Sequence, residues 1–324
     1  MYTPWPARLP ESLDLEPIRS SLSALDLLLQ DVTAVDYPLV ADVVRAAFAA
    51  DGKRLRPSVA LLTGAMLHAP SDTTLALAAA VETLHTACLV HDDLIDQSFV
   101  RRGHPTLRAA LSAETTVLAG DYLFARAAAF AAETRHPRVV RAFSECLMDM
   151  AAGELEQISQ RRVTPSREDY LRRVYSKTAV LFATASSAAG VLGGASEQAV
   201  ALLRQYGENV GLAYQINADV LDFVGEPESP GQPVGADLRR GRVTLPVLYA
   251  AAAADLPLAQ ALAGELWAVE AVIEAVQSSD ALALARADAE RYAAVAVSCL
   301  SWFPDEAARQ TLEAVADFSV RRAA

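Results

Sequence analysis

Cysteine is scarce in this chain of 324 residues: Cys88, Cys146 and Cys299 are the only three, odd in number and far apart. That excludes a disulfide framework and a cysteine zinc site, and fits a reducing cytoplasm. Positive charge is also in short supply. Lys and Arg number 28 against 40 Asp and Glu, a formal net charge of −12. Nucleic-acid binding needs a basic face, so no nucleic-acid partner is expected. The opening stretch MYTPWPARLPESLDLEP lacks the apolar core of a signal peptide and carries prolines and acids instead. No transmembrane segment is expected either, because the alanine-rich run from Val247 to Ala254 is short and meets Asp255 and Pro257. Period-two alternation, internal repeats and low-complexity linkers are missing as well.

What remains is helix. Hydrophobic residues make up 52% and charged residues 21%, enough for a large interior, and abundant alanine favours helices and their close contact. Apolar residues recur at helical spacing between breaks at Asp51-Gly52, Ala69-Pro70-Ser71, Arg102-Gly103-His104-Pro105, His136-Pro137, Thr164-Pro165, Gly193-Gly194 and the Pro/Gly-rich Gly225 to Gly235. Ser166, with Asp169 three residues on, predicts a helix start. The pattern predicts one all-α domain over 1–324, with about a dozen helices.

The sharpest local feature is His91-Asp92-Asp93-Leu94-Ile95-Asp96, followed by Arg101-Arg102-Gly103. On a helix Asp92 and Asp96 sit one turn apart on one face, where both carboxylates reach one hard cation. Magnesium uses one or two carboxylates and completes its shell with water and phosphate oxygens. The residues ahead of the acids, Val81, Leu84, Ala87, Cys88 and Leu89, are apolar, so a buried helix delivers the acids at its end; a solvated acidic helix end is the alternative. Asp219 and Asp222 form a second acidic pair on one helical face, with Asp237 on the next loop. Together the two sets suggest opposed carboxylates around a diphosphate and its metals. Gly52-Lys53-Arg54-Leu55-Arg56-Pro57 concentrates cations suited to phosphate oxygens. Lys177-Thr178 enters an apolar helix.

In order along the chain, GKRLRP (52–57), ETLHTACLVHDDLID (82–96), RRGHPT (101–106), AGDYLFARA (119–127), GELEQ (153–157), YSKTAVLF (175–182), QINADVLDF (215–223) and GADLRRGRVTLPVLYA (235–250) resemble the polyprenyl synthetase family, the trans-isoprenyl diphosphate synthases. The resemblance implies an all-α, single-domain bundle of the isoprenoid synthase type with a central active-site cavity. It implies a Mg2+-dependent prenyltransferase, in the form of a cytoplasmic homodimer, that extends an allylic diphosphate with isopentenyl diphosphate. Asp92 and Asp96 match the first metal-binding motif, with Asp93 in support, and Asp219, Asp222 and Asp237 the second. Arg101 matches an allylic-diphosphate clamp; Lys53, Arg56, His85 and Arg102 match the isopentenyl-diphosphate pocket; Lys177, Thr178 and Gln215 match the allylic side, and Arg322 approaches the isopentenyl diphosphate. Catalysis would rest on Asp92, Asp96, Arg101 and Lys177, with no protein nucleophile.

Two positions depart from the family pattern: Ala218 stands where aspartate is usual, and Gln232 where lysine is usual. They keep open a weakly active or non-catalytic subunit of a heteromeric synthase. A terpene cyclase would need an asparagine-serine-glutamate metal motif, which Asn217 to Glu226 does not supply. In this family the residues before the first motif act as a floor for the growing chain. Here Leu84, Ala87 and Cys88 form that wall, and the last two are small. A medium- to long-chain all-trans product is therefore expected, with geranylgeranyl diphosphate as the alternative, and Phe at Ala87 is expected to shorten it.

Overall fold

The computed structural model describes residues 13–32, 38–48, 53–101, 104–159, 163–225, 233–304 and 306–321. After a single 3-10 turn, Glu16–Ile18, come helices α1 (Arg19–Asp31), α2 (Pro38–Phe48), α3 (Leu55–Met66), α4 (Ser71–Ile95), α5 (Leu107–Ala110), α6 (Ala113–Glu133), α7 (Pro137–Ser159) and α8 (Arg167–Val174). A π-helical turn, Tyr175–Ala179, leads into α9 (Val180–Leu192). Then follow α10 (Glu197–Val224), α11 (Ala236–Arg239), α12 (Leu245–Ala253), α13 (Leu258–Ala263), α14 (Leu266–Ser278), α15 (Ala281–Leu300) and α16 (Ala307–Arg321). The protein is all-α, as its periodicity predicts. Among the described residues the one β-structure is an antiparallel pair of two-residue strands, β1 (Val100–Arg101) and β2 (His104–Pro105), in a segment that reads as a break in the sequence.

Two compact units can be distinguished, and each is described by itself. The first comprises Met1–Glu145, Thr184–Arg204 and Leu300–Ala314. Its axis is α4, packed against α6, α3 and α1. From Ala76 to Leu84 every residue of α4 is buried, including Ala76, Ala78, Ala79 and Ala80, whose small side chains allow close approach on all sides. A helix apolar all round is a core helix. By length and composition alone α4 would also span a membrane; 72% of its most apolar window is buried inside the fold, which accounts for that character without lipid.

The second unit comprises Cys146–Ala183, Gln205–Cys299 and Val315–Ala324. One cluster joins Tyr170, Val174, Ala179, Leu212, Ile216, Val220 and Leu245, from α8, the π turn, α10 and the start of α12. A second cluster packs Phe223 and Val247 against Val269, Val272 and Val276 of α14. The predicted helix start at Ser166 is a capping box: Ser166 Oγ accepts from the Asp169 N–H, and the Asp169 carboxylate accepts from the Ser166 N–H.

Candidate active site

Beyond Leu84 the buried axis α4 opens, first along one face and at its last turn more widely. His85, Cys88, Leu89, Asp92 and Asp96 are half-buried, at offsets of three, four, seven and eleven residues from His85, whereas Leu84 and Ala87 have no exposed surface. An open stripe on a core helix has no packing purpose. Here it starts with a histidine, passes a cysteine and a leucine, and ends in two carboxylates one turn apart, the Asp96 N–H bonding the Asp92 carbonyl at 2.8 Å. Those carboxylates stand at the negative end of the helix dipole, where anions are disfavoured. Asp93, between them in sequence, is set apart by its pairing with Arg101. Among the described residues no three His, Cys, Asp or Glu side chains converge on one metal position.

Asp93 itself is buried and holds Arg101: its two oxygens accept from Arg101 Nε at 3.0 and 3.1 Å, and Oδ1 also accepts from Nη2 at 2.8 Å. Burial pushes the Asp93 carboxyl up, with Asp92 and Asp96 adding to it, while Arg101 pulls it down. The fork-on-fork geometry fixes the guanidinium plane. Asp93 thus orients Arg101. Behind the motif, Gly120 leaves room for the His91 ring, whose Nε2 would lie 2.1 Å from a Cβ at that position.

The three cations of Lys53-Arg54-Leu55-Arg56 separate. Lys53 is exposed and Arg56 half-buried, its Nη1 3.2 Å from His85 Nε2. Arg54 is buried, in a left-handed conformation at the start of α3 (φ 47°), bonded to Glu82 of α4 and 3.6 Å from Asp26 of α1. A buried charge is tolerable only when paired in this way, so Arg54 is the structural member of the set. Arg102, Gln232 and Arg322, with Gly52 and Gly103, lie outside the described residues.

The second unit holds a cleft of about 100 Å³ lined by, among others, Tyr170, Arg173, Lys177, Asp219, Arg242 and Thr244. Lys177 and Thr178 reach it from the π turn, a departure from regular helix that is frequent at functional sites. Two glycines admit that turn. A Cβ at Gly153 on α7 would lie 2.3 Å from Ser176 Cβ, and one at Gly211 on α10 would lie 2.4 Å from Ala179 Cα. Because the Gly211 contact is to backbone, Gly211→Ala is expected to displace the turn, costing about 1–3 kcal/mol. It should also lower kcat more than expression; circular dichroism melts alongside turnover would show both effects.

Lys177 Nζ pairs with Glu154 at 3.0 Å. Thr178 donates to the Gln215 carbonyl at 3.0 Å, and the Gln215 amide donates to Asp219 Oδ1 at 2.9 Å. The other Asp219 oxygen accepts from Tyr170 at 2.7 Å. Burial, then the charge of Asp237, pushes Asp219 up to about 7, against the hydrogen bonds of Gln215 and Tyr170 and the charge of Arg173. Asp222 is pushed up to about 6 by the same two causes. Its oxygens accept from the Ala236 and Asp237 N–H groups at 3.0 and 3.3 Å, so it ties down the loop that presents Asp237. The second acidic pair therefore sits on one helix, as its spacing predicts, but both members are buried and bonded to protein. The half-exposed position beside them is Ala218. Tyr170, Arg173, Glu154, Arg242 and Thr244 were not singled out in the sequence; they meet the motif residues only through tertiary contact.

Residues 37–277 match the family model described as Polyprenyl synthetase. Heptaprenyl diphosphate synthase component 2 of Geobacillus stearothermophilus is 35% identical over 309 residues, covering 94% of this chain and 97% of that protein. Octaprenyl diphosphate synthase of Escherichia coli (strain K12) is 34% identical over 278 residues, covering 84% and 86%. Among solved structures, the polyprenyl synthase from Caulobacter crescentus CB15, crystallised with calcium and isoprenyl diphosphate, aligns with a TM-score of 0.90 at 33% identity, covering 97% of this chain and 99% of that one. With most of its length matched by the family model and by these relatives, the chain belongs to the polyprenyl synthetase family.

Proposed function

We propose that this prenyltransferase extends an allylic diphosphate with isopentenyl diphosphate, head to tail, to a medium- or long-chain all-trans polyprenyl diphosphate. The observation that carries the reading is the half-open face of α4, with two carboxylates at its tip and the small Cys88 one turn below Asp92. Relatives named for heptaprenyl and octaprenyl products support the length class. The metal is magnesium in this reading, with Asp92 and Asp96 as its ligands at the end of α4 and Asp237 as the accessible member of the second acidic set. Calcium in the Caulobacter structure supports a divalent ion. Once bound, the metal neutralises charge that builds on the departing pyrophosphate.

The chain's own groups supply the rest. Arg101, oriented by Asp93, and Lys177 donate to the allylic diphosphate, while Lys53, Arg56, His85 and Arg102 hold isopentenyl diphosphate. The allylic carbon–oxygen bond breaks with its electron pair going to pyrophosphate, and the isopentenyl double bond attacks the resulting allyl cation. A proton then leaves to the released pyrophosphate, giving an allylic diphosphate one unit longer. Fixed donors around the leaving oxygens need no reorganisation during the step. Separated, free cysteines accord with a cytoplasmic enzyme. Exposed apolar side chains on α6 (Val117, Leu118) and on α7 (Met148, Leu155, Ile158) accord with association of two copies.

A second reading has one observation behind it: with Ala218 at the half-exposed position of α10, Asp237, already paired with Arg242, is the one accessible carboxylate of the second acidic set. That favours an enzyme that is weak alone and works with a second component, as the name of the Geobacillus relative suggests for that protein.

Product length is tested by chromatography of dephosphorylated products. A chain longer than geranylgeraniol is expected; farnesol or geranylgeraniol as the main product would contradict the open face. Ala87 is fully buried, so Phe there overpacks α4, whereas Cys88 is half-exposed. Cys88→Phe is accordingly the variant expected to shorten the product by steric block with turnover retained.

A further inference from the structure

Thr244 is the N-cap residue of α12, yet its hydroxyl makes no capping hydrogen bond. Its Oγ1 is buried and without a hydrogen-bond partner among the described residues, although Thr244 lines the cleft of the second unit and is itself 5% exposed. A buried hydroxyl left unsatisfied costs about 1–3 kcal/mol, and N-cap threonines ordinarily recover that through the cap. Here the group is held back from its usual partner.

Arg173 lines the same cleft from α8. Its guanidinium is fixed in place but little used: Nη2 donates to the Val243 carbonyl at 2.6 Å, and the group lies over the Tyr170 ring at 5.6 Å. The other two cations of the cleft have carboxylate partners, Lys177 with Glu154 at 3.0 Å and Arg242 with Asp237 at 3.5 Å. Arg173 forms no ion pair with a carboxylate among the described residues. Since Arg carries five N–H donors, an oriented guanidinium with donors to spare stands in the same small cleft as an orphaned hydroxyl. Val243, which holds Arg173, is the residue next to Thr244. An unpartnered hydroxyl and a guanidinium with donors beyond its one hydrogen bond, in one cleft and tethered to adjacent residues, suit an acceptor-rich anion.

We propose that Arg173 and Thr244 form a phosphate-oxygen subsite for the allylic diphosphate and for pyrophosphate. This rests on the prenyltransferase reading. Arg173 binds through its fixed fork and Thr244 through its hydroxyl, which donates to the anion.

The test is calorimetric titration of the purified chain with inorganic pyrophosphate in magnesium buffer, beside steady-state kinetics in the allylic substrate. Arg173→Met is expected to weaken pyrophosphate binding and to raise KM for the allylic diphosphate by about 10- to 100-fold, the size of a lost charge-assisted hydrogen bond. KM for isopentenyl diphosphate should stay unchanged. Thr244→Val keeps shape and removes only the hydroxyl, with about a 3- to 10-fold loss expected in the same two quantities. Arg173→Lys should recover part of the loss, and circular dichroism identifies any variant that has not folded. If Thr244→Val and Arg173→Lys both bind pyrophosphate as the unmodified chain does, the subsite is overturned even where Arg173→Met fails to fold. Turnover of the unmodified chain is scored separately: pyrophosphate binding lost in the variants of a chain without turnover supports the subsite and sinks the enzymatic reading. Normal binding in the variants of an active chain does the reverse.

Discussion

Asp92→Ala and Asp96→Ala each lower turnover by about 100- to 1,000-fold, the range for removing one fixed group that stabilises transition-state charge, with helical content unchanged. Both residues are half-exposed at the end of α4, so truncation leaves no closed cavity. Removing a carboxylate from the negative end of a helix dipole even relieves about 0.3–1 kcal/mol of repulsion. A variant that melts no lower than the unmodified chain and turns over hundreds of times more slowly separates a functional carboxylate from a structural one. Asp93→Ala is the contrasting control: its carboxylate is buried against Arg101, and its loss should lower both stability and activity. Steady-state assays with thermal melts distinguish the three variants, and near-normal turnover in both Asp92→Ala and Asp96→Ala would end the assignment.

The second large effect is a gain. Ala218→Asp places an oxygen donor at the half-exposed position of α10, whereas Asp219 and Asp222 already accept hydrogen bonds from Tyr170, Gln215 and the α11 backbone. Half-saturation by magnesium is expected to fall by about tenfold, one added charged contact of about 1.4 kcal/mol, with the clearest increase in rate at low metal. Turnover titrated against magnesium for both chains is the measurement. An unchanged curve would mean that the second acidic set binds its metal without a carboxylate at this position.

What was legible in the sequence was local. Asp92 and Asp96 on one turn, Asp219 and Asp222 on one face, and the Ser166–Asp169 capping box all follow from spacings of three or four residues, which helix geometry fixes without tertiary information. The family resemblance then supplied roles for these positions. Burial and partnership were not legible, because they join residues far apart in the chain. Arg54 looks like one of three phosphate-binding cations until Glu82, 28 residues away, is found against it. Asp219 looks like an open ligand until Tyr170, 49 residues away, donates to it. The π turn at Tyr175–Ala179 left no mark on the apolar periodicity, since one extra residue per turn displaces little over so short a stretch. It is admitted by Gly153 and Gly211, which clear the space on neighbouring helices. The wall below the first motif illustrates the same limit: sequence placed Leu84, Ala87 and Cys88 together, and only the packing of α4 shows which of them has a face open.

Whether this chain elongates prenyl diphosphates by itself is decided by one assay. The purified, unmodified protein is incubated with magnesium, an allylic diphosphate and isopentenyl diphosphate, with no other protein present, and released pyrophosphate and extracted prenyl product are followed together. Expected are many turnovers per chain that require both substrates, stop on chelation of the metal and resume when magnesium is restored. Product that forms only after a second, different chain is added, with none from this chain alone, would contradict a self-sufficient synthase and leave the two-component reading.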